Sequence, residues 1–234
     1  MQRRVVLSQT GSHTRQIENT DFQSIAERCM AISRDRSGNV IPFHEERIYG
    51  EELKAEPERT WQLQYSGVPK LFGGCTFENY QGNEKLVTDL IGIAGSDDHV
   101  VIRGNTGCGK THLAVAMIQG QSAFKTRFIT VPDLLLKIRS SFNGGSESED
   151  EIIGRYSEIS VLVLDDLGAE KISEFATTTL YIILDRRIRE CRKTIITTNL
   201  SKEEIESTFG ARIASRLAGM ENIKITMPDH RKKK

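Results

Sequence analysis

The chain has 234 residues, 38% of them apolar, which is enough to bury one sizeable core. It carries 32 basic and 32 acidic residues, so no whole-molecule positive field favours nucleic acid, and any such contact must come from a local patch. Its four cysteines are widely spaced without a C-x-x-C pair, which argues against a zinc knuckle or a disulfide framework. No apolar run approaches membrane-spanning length, so we expect a soluble protein of the reducing cytoplasm with no membrane contact.

Residues 1–66 are predicted to form a small, partly helical N-terminal arm. The first twenty residues are polar and aperiodic, whereas apolar residues recur at helical spacing over 22–30 behind a threonine-aspartate cap. A second charged segment is interrupted by Gly50 and Pro57. Two interpretations stay open: a tail with one docked helix, or an arm that binds a partner.

The sequence "SGVPK" from Ser66 predicts a linker and a domain boundary, with residues 67–234 forming the second domain. An amphipathic helix is expected over 84–93, and the acidic, glycine-rich segment Asn143–Glu151 is expected to be a mobile loop. Five short apolar runs alternate with helical patterns: Val100–Arg103, Phe128–Val131, Val161–Leu164, Thr194–Thr197 and Ile223–Met227. This rhythm predicts an α/β fold, a three-layer α/β/α domain with a largely parallel five-stranded sheet.

A phosphate-binding loop is predicted between the first strand and the helix after it. The sequence "GNTGCGKT" matches the pattern G-x-x-x-x-G-K-[ST] in the required strand, loop and helix setting. The glycines allow the backbone N–H groups to approach phosphates, Lys110 adds a point charge, and Thr111 offers a hydroxyl to Mg²⁺. We expect ATP and Mg²⁺ as cofactors. The candidate nucleotide-binding residues are Gly104, Asn105, Thr106, Gly107, Cys108, Gly109, Lys110, Thr111 and His112.

Two acids follow the apolar strand in "VLVLDDLGAE", at the strand end where ligands bind in parallel sheets. Asp165 is predicted to hold Mg²⁺ with Thr111, and Asp166 to orient or deprotonate an attacking water. Taken alone, such a pair is more often a helix cap or a solvated turn. Its position about 55 residues after the phosphate-binding loop favours the catalytic interpretation.

Two further candidates come from later motifs. In "TIITTNLS", Asn199 ends a strand and is predicted to position water by hydrogen bonds, although asparagine before a helix is also an ordinary cap. In "FGARIASRLAG", Arg212 and Arg216 share one helix face. Such a pair is usually solvated; the alternative is an arginine finger that acts on a neighbouring subunit's nucleotide.

In this order, the four motifs resemble those of an AAA+ ATPase of the P-loop NTPase fold. The sequences "SGVPKLFGGCTFENY", "GNTGCGKTHLA", "VLVLDDLGAE", "TIITTNLS" and "GARIASRL" resemble the DnaC-type replicative helicase loaders and the IstB-type transposition helper ATPases. The resemblance covers about residues 66–228. It implies that Phe77 and Tyr80 flank adenine, that Asn199 is the sensor residue and that Arg216 is the finger acting in trans, Arg212 being the weaker candidate.

The same resemblance implies partners. Residues 1–66 would bind a hexameric replicative helicase, the ATPase domain would contact single-stranded DNA, and the subunits would self-associate into an open or helical oligomer. Such a protein would act in the bacterial cytoplasm, or in that of the host if a phage encodes it.

Two features depart from the family pattern. Many AAA+ ATPases have glutamate where this chain has Asp166, so we expect a slow, switch-like ATPase that a partner or DNA stimulates. The chain ends 18 residues after Arg216, so we expect no full C-terminal lid and nucleotide closure that depends on a neighbouring subunit. The terminal "HRKKK" is expected to be a flexible cationic tail.

Two basic segments are candidates for macromolecular contact. In "PDLLLKIRSSF", Lys137 and Arg139 near Phe142 could contact single-stranded DNA, although leucines on the same helix indicate a core face. The more basic "LDRRIRECRK" has arginines at 186, 187, 189 and 192, which could bind phosphates, pair with acids of a neighbouring subunit or only solvate a helix. Of these roles we expect the one at a subunit interface.

The leading hypothesis is an ATP-dependent helicase loader in which ATP binding and hydrolysis switch assembly and release. A transposition helper would have a similar ATPase core, and the long N-terminal arm favours the loader. A small-molecule P-loop kinase is less favoured, because its lid is commonly basic whereas Asn143–Glu151 is acidic. A nucleotide-binding adaptor without hydrolysis also stays open because of Asp166.

Overall fold

The structure, a computed structural model, describes residues 63, 65–121, 125–142, 147–169 and 173–230. The helix predicted over 22–30 and most of the arm lie outside the described residues, and the domain boundary stays a prediction. No helix in the described part of the chain is long and apolar enough to cross a membrane.

Strands and helices alternate along the described chain. After a short 3₁₀ helix, Lys70–Phe72, the helices are α1 Glu84–Ala94, α2 Lys110–Met117, α3 Val131–Ser141, α4 Glu149–Glu158, α5 Glu174–Arg189 and α6 Lys202–Ala218. The strands are β1 Val100–Gly104, β2 Thr126–Thr130, β3 Val161–Leu167, β4 Thr194–Thr198 and β5 Glu221–Ile225.

The five strands form one parallel sheet in the order β2-β3-β4-β1-β5. Side chains alternate between the two faces of the sheet along each strand, and both faces are apolar because helices cover each of them. In β1, Val101 packs with α3 to α6 on one face, whereas Val100 and Ile102 pack with α1 and α2 on the other. The predicted three-layer α/β/α fold is therefore confirmed, and the carboxyl ends of β1, β3 and β4 meet at one sheet edge.

Part of the predicted acidic loop is helical. Residues 143–146 lie outside the description, but Glu149 begins α4 behind a capping box. The Ser148 hydroxyl accepts from the Glu151 N–H, and the Glu151 carboxylate accepts from the Ser148 N–H. Acids in the first turn also suit the helix dipole, so the charges that suggested a mobile loop stabilise a helix start.

Arg187 lies in the core, which corrects the expectation that it forms part of a subunit interface. Its side chain is fully buried and donates to six backbone carbonyls and to the Thr194 hydroxyl. Four of the carbonyls belong to the last turn of α4 and the connection to β3, and two belong to the turn between α5 and β4. One guanidinium thus joins two turns at the sheet edge opposite the phosphate-binding loop. Arg186 and Arg189 are exposed.

Candidate functional site

A cleft of about 400 Å³ lies at the carboxyl edge of the sheet. Its walls come from the phosphate-binding loop and the start of α2, from the segment around Tyr80, from Asp166 and Asn199, and from His230. The parallel strand order places these segments together, because β4 lies between β1 and β3 and carries Asn199 between the loop and the acids.

The phosphate-binding loop turns through left-handed conformations that favour glycine. Gly107 has φ 74° and Gly109 has φ 93°, immediately before α2 begins at Lys110. A Cβ on Gly109 would also lie 2.6 Å from the ring of Tyr80, so this position is restricted twice. The successive N–H groups and the amino end of α2 make the loop suitable for an anion.

Lys110 is buried and connects the loop to the end of β4. Its ammonium donates to the Asn105 carbonyl oxygen at 3.0 Å and to Asn199 Oδ1 at 2.5 Å. The residue predicted to neutralise phosphate is therefore in direct contact with the predicted sensor residue. A charge-assisted hydrogen bond of this kind links the positions of the two side chains.

Thr111 and Asp165 form an oxygen-rich pair. The Thr111 hydroxyl lies 3.0 and 3.1 Å from the two carboxylate oxygens of Asp165. Burial raises the pKa of the Asp165 carboxyl, while hydrogen bonds from Thr197 and Thr111 oppose the rise. A hydroxyl beside a carboxylate is the hard-oxygen donor set that Mg²⁺ prefers, so the residues fit the cation predicted from the sequence.

A β-bulge orients Asp166. Leu164 pairs with Ile196 and Leu167 pairs with Thr198, so β3 has one residue more than β4 over this span. Asp166 has φ 57°, a left-handed conformation that aspartate and asparagine tolerate better than most residues. The bulge lets consecutive acids differ in environment: Asp165 is buried beside Thr111, whereas Asp166 lines the cleft.

Thr197 holds the bulge in place, and the sequence analysis missed it. Its hydroxyl donates to Asp165 Oδ1 at 2.7 Å and accepts from the Asp166 N–H at 2.9 Å. Both contacts are made by one buried hydroxyl on β4. The available signal was the polar pair Thr197 and Thr198, which follows Ile195 and Ile196 at the carboxyl end of β4.

Tyr80 covers the loop from the side of the predicted adenine pocket. Its hydroxyl donates to the Cys108 carbonyl oxygen at 3.2 Å, and burial raises its pKa to about 12, so the phenol keeps its proton. His112 Nε2 lies 2.8 Å from the Thr76 carbonyl oxygen, which requires that Nε2 carries a proton. Tyr80 and His112 line the cleft, whereas Phe77 packs against the core and is not among the lining residues.

Arg216 lies outside the cleft and is held by α5. Its Nε and a terminal nitrogen donate to Asp185 Oδ1 at 3.1 and 2.7 Å, and the guanidinium lies over the Tyr181 ring. Its side chain is still 37% exposed, so part of the guanidinium faces solvent. Arg212, one turn earlier on α6, is exposed beside it. The structure therefore presents both candidate finger residues on one surface away from their own chain's cleft.

The two candidate DNA contacts are also outside the cleft, on α3. Lys137 is half-buried and pairs with Glu147 at 3.5 Å, while burial and the charges of Arg155 and Arg127 lower its pKa. Arg139 is exposed and shares the helix surface with exposed Leu136. DNA contact at these residues stays a prediction.

The fold and the cleft together define a P-loop ATP-binding protein of the AAA+ type. Residues 58–218 match the model of the family described as IstB-like ATP binding protein, and the chain belongs to that family. This confirms the resemblance inferred from the motifs.

Individual relatives agree with the family. The chain is 28% identical over 165 residues to the replicative helicase loader DnaC of Escherichia coli strain K12, covering 65% of this chain and 66% of that protein. It is 29% identical over 169 residues to the DnaC loader of Buchnera aphidicola (subsp. Baizongia pistaciae), covering 66% of this chain and 68% of the relative. The Escherichia coli match spans just under two thirds of that loader's length.

A solved structure supports the fold independently. A crystal structure of the DnaC helicase loader aligns with a TM-score of 0.59 at 23% identity, over 68% of this chain and all of that one. At this identity the match shows a shared fold.

Proposed function

We propose that this protein is an ATP-dependent loader of a hexameric replicative helicase onto single-stranded DNA, acting in a bacterial or phage-infected cytoplasm. The observation that carries the proposal is the sequence match to helicase loaders across the ATPase core. The cleft supports it, because the phosphate-binding loop, the Thr111–Asp165 pair, Asp166 and Asn199 lie together at one sheet edge.

Each side chain then has a chemical task. Loop N–H groups and Lys110 neutralise the phosphates, and Thr111 and Asp165 hold Mg²⁺, which when bound offsets the charge that develops on the phosphates. Asp166 accepts a proton from the attacking water, and Asn199 orients that water from the end of β4. Because Asn199 also accepts from Lys110, loss of phosphate contact at the lysine changes the sensor residue directly.

Arg216 completes the site of a neighbouring subunit in this proposal. Its exposed guanidinium suits an anion presented by another chain, and Asp185 fixes its direction. ATP therefore favours the self-associated, DNA-bound state, and hydrolysis removes the γ-phosphate that joins the subunits.

Removing the guanidinium should lower turnover while leaving ATP binding by the isolated subunit unchanged. For Arg216→Ala we expect turnover about a hundredfold lower, since the variant lacks a donor to the developing charge. The measurement is phosphate release from mixtures of Arg216→Ala with an Asp166→Asn chain, since each then supplies what the other lacks. Turnover above that of either variant alone supports action in trans, whereas no recovery contradicts it. Exposed Lys202→Ala serves as the control for loss of one positive charge from α6.

The partner is tested by direct binding. We expect the full chain, in ATP, to form a complex with a bacterial replicative helicase in size-exclusion chromatography with light scattering, and a chain lacking residues 1–66 to form none. Circular dichroism checks that the shortened chain is folded. Absence of a complex between the full chain and a cognate helicase contradicts the loader function. Binding to a transposase on DNA would then favour the second candidate, a transposition helper.

A further inference from the structure

The C-terminal segment Met227–His230, here called the strap, runs from the sheet onto the phosphate-binding loop. β5 ends at Ile225, and Pro228 cannot continue it because it lacks an N–H group. Met227 packs against the core on the α1 and α2 face. Of the flexible tail predicted over residues 230–234, the structure describes only His230, which contacts the loop.

Two contacts place the strap on Gly107. The His230 N–H donates to the Gly107 carbonyl oxygen at 3.0 Å. On the other side, a Cβ on Gly107 would lie 1.7 Å from Asp229 Oδ1, so only glycine leaves room for the strap. Gly107 thus has two constraints, its left-handed φ and the strap against it.

His230 forms part of the cleft wall and has a polar atom that is not used in hydrogen bonding. The residue lines the cleft beside Thr106, Gly107 and Lys110. Its Nε2 is buried and makes no hydrogen bond within the described part of the chain. A buried polar atom without a partner carries a free-energy cost, which a turn of the ring toward an acceptor in the cleft would remove.

We propose that the strap binds nucleotide in cis, with His230 donating from Nε2 to the phosphate chain of ATP. The inference rests on the proposed ATPase function and adds a contact from the same subunit. A phosphate oxygen is the natural acceptor, because the loop that carries Gly107 is the one built to hold phosphates. The strap then supplies, within one chain, part of the closure that was expected only from a neighbouring subunit.

The matched variants His230→Ala and His230→Gln, in the full chain, test this contact. We expect ATP affinity in Mg²⁺ to fall about tenfold in His230→Ala, as for loss of one hydrogen bond to a charged group. His230→Gln should stay within about threefold of wild type, because the glutamine amide can donate from a similar position. Lys224→Ala, an exposed change on β5, controls for alteration of the C-terminal region. Titration calorimetry with ATP gives the affinities.

Hydrogen exchange provides a second measurement. ATP should slow exchange of the His230 amide if the strap closes on the nucleotide. Unchanged ATP affinity in His230→Ala overturns the proposal. Faster exchange in ATP, with tighter ATP binding in Asp229→Asn, also overturns it, since the strap would then compete with nucleotide. If the wild-type chain binds no ATP, the proposed ATPase function fails together with the inference. If the wild-type chain binds ATP and both His230 variants bind it with the same affinity, the inference alone fails.

Discussion

Replacing Arg187 with methionine is expected to lower the free energy of unfolding by about 4 kcal/mol, enough to threaten folding of a marginally stable domain. The methionine fills a similar volume but donates nothing, so the carbonyls of two turns lose their partner in a dry environment. The shortest of these contacts are to the carbonyl oxygens of Ile159 and Lys193, both at 2.6 Å. Burial, with a smaller effect of Arg192, lowers the pKa of Arg187 to about 9, which leaves the guanidinium charged at neutral pH.

The measurement is urea unfolding of Arg187→Met beside Arg186→Ala, its exposed neighbour on the same helix. Arg186→Ala should change the free energy of unfolding by less than about 0.5 kcal/mol. The free energy of unfolding of Arg187→Lys should lie between those of Arg187→Met and wild type, since an ammonium retains the charge but cannot reach acceptors on both turns. A variant that fails to express in folded form agrees with the prediction. Equal stability of Arg187→Met and wild type would show that water replaces the guanidinium at little cost.

Arg187 also shows what helical spacing could have revealed. Leu180, Ile183, Leu184 and Arg187 fall at the i, i+3, i+4 and i+7 positions of one α5 face, and all four are buried. Charge alone suggested a solvated or interface residue. The helical period, in contrast, indicates a core position for Arg187, where an arginine is tolerated only with many carbonyl acceptors.

The site itself was largely predictable because its motifs are local. The strands predicted over 100–103, 161–164 and 194–197 lead directly into residues that line or support the cleft, and parallel strands bring those ends to one edge. The strand order was not predictable from spacing, yet it is the position of β4 that puts Asn199 against Lys110. Local sequence patterns therefore predict which residues belong to the candidate site, whereas the order of strands in the sheet determines which of them are in contact.

The missed residues all act through contacts distant in sequence. Thr197 supports acids 31 and 32 positions earlier, and Asp185 holds Arg216, 31 positions later. His230, the first residue of the segment predicted as a charged tail, donates its N–H to Gly107, 123 positions earlier. No motif encodes such pairs, because a single hydroxyl, carboxylate or imidazole is common in any chain.

Asp166→Asn should keep ATP binding and lower ATP turnover about a thousandfold, within the range for loss of a general base. The substitution suits the backbone, because asparagine tolerates the left-handed φ of 57° nearly as well as aspartate. The hydrogen bond that supports the bulge uses the backbone N–H, so Thr197 can still accept it. What changes is one carboxylate oxygen, which becomes an amide nitrogen that cannot take a proton from water.

Phosphate release in the presence of single-stranded DNA and helicase gives turnover, and titration with ATP gives affinity. Asp166→Glu separates charge from geometry: it restores a carboxylate, so turnover should return to within about tenfold of wild type despite the less tolerant backbone position. If Asp166→Asn turned over ATP as fast as wild type, a group other than Asp166 would have to accept the proton from water. Loss of ATP binding would instead assign Asp166 a structural role in the bulge. A wild-type chain that binds ATP without turnover would identify an adaptor, in which Asn199 senses nucleotide through Lys110 without hydrolysis.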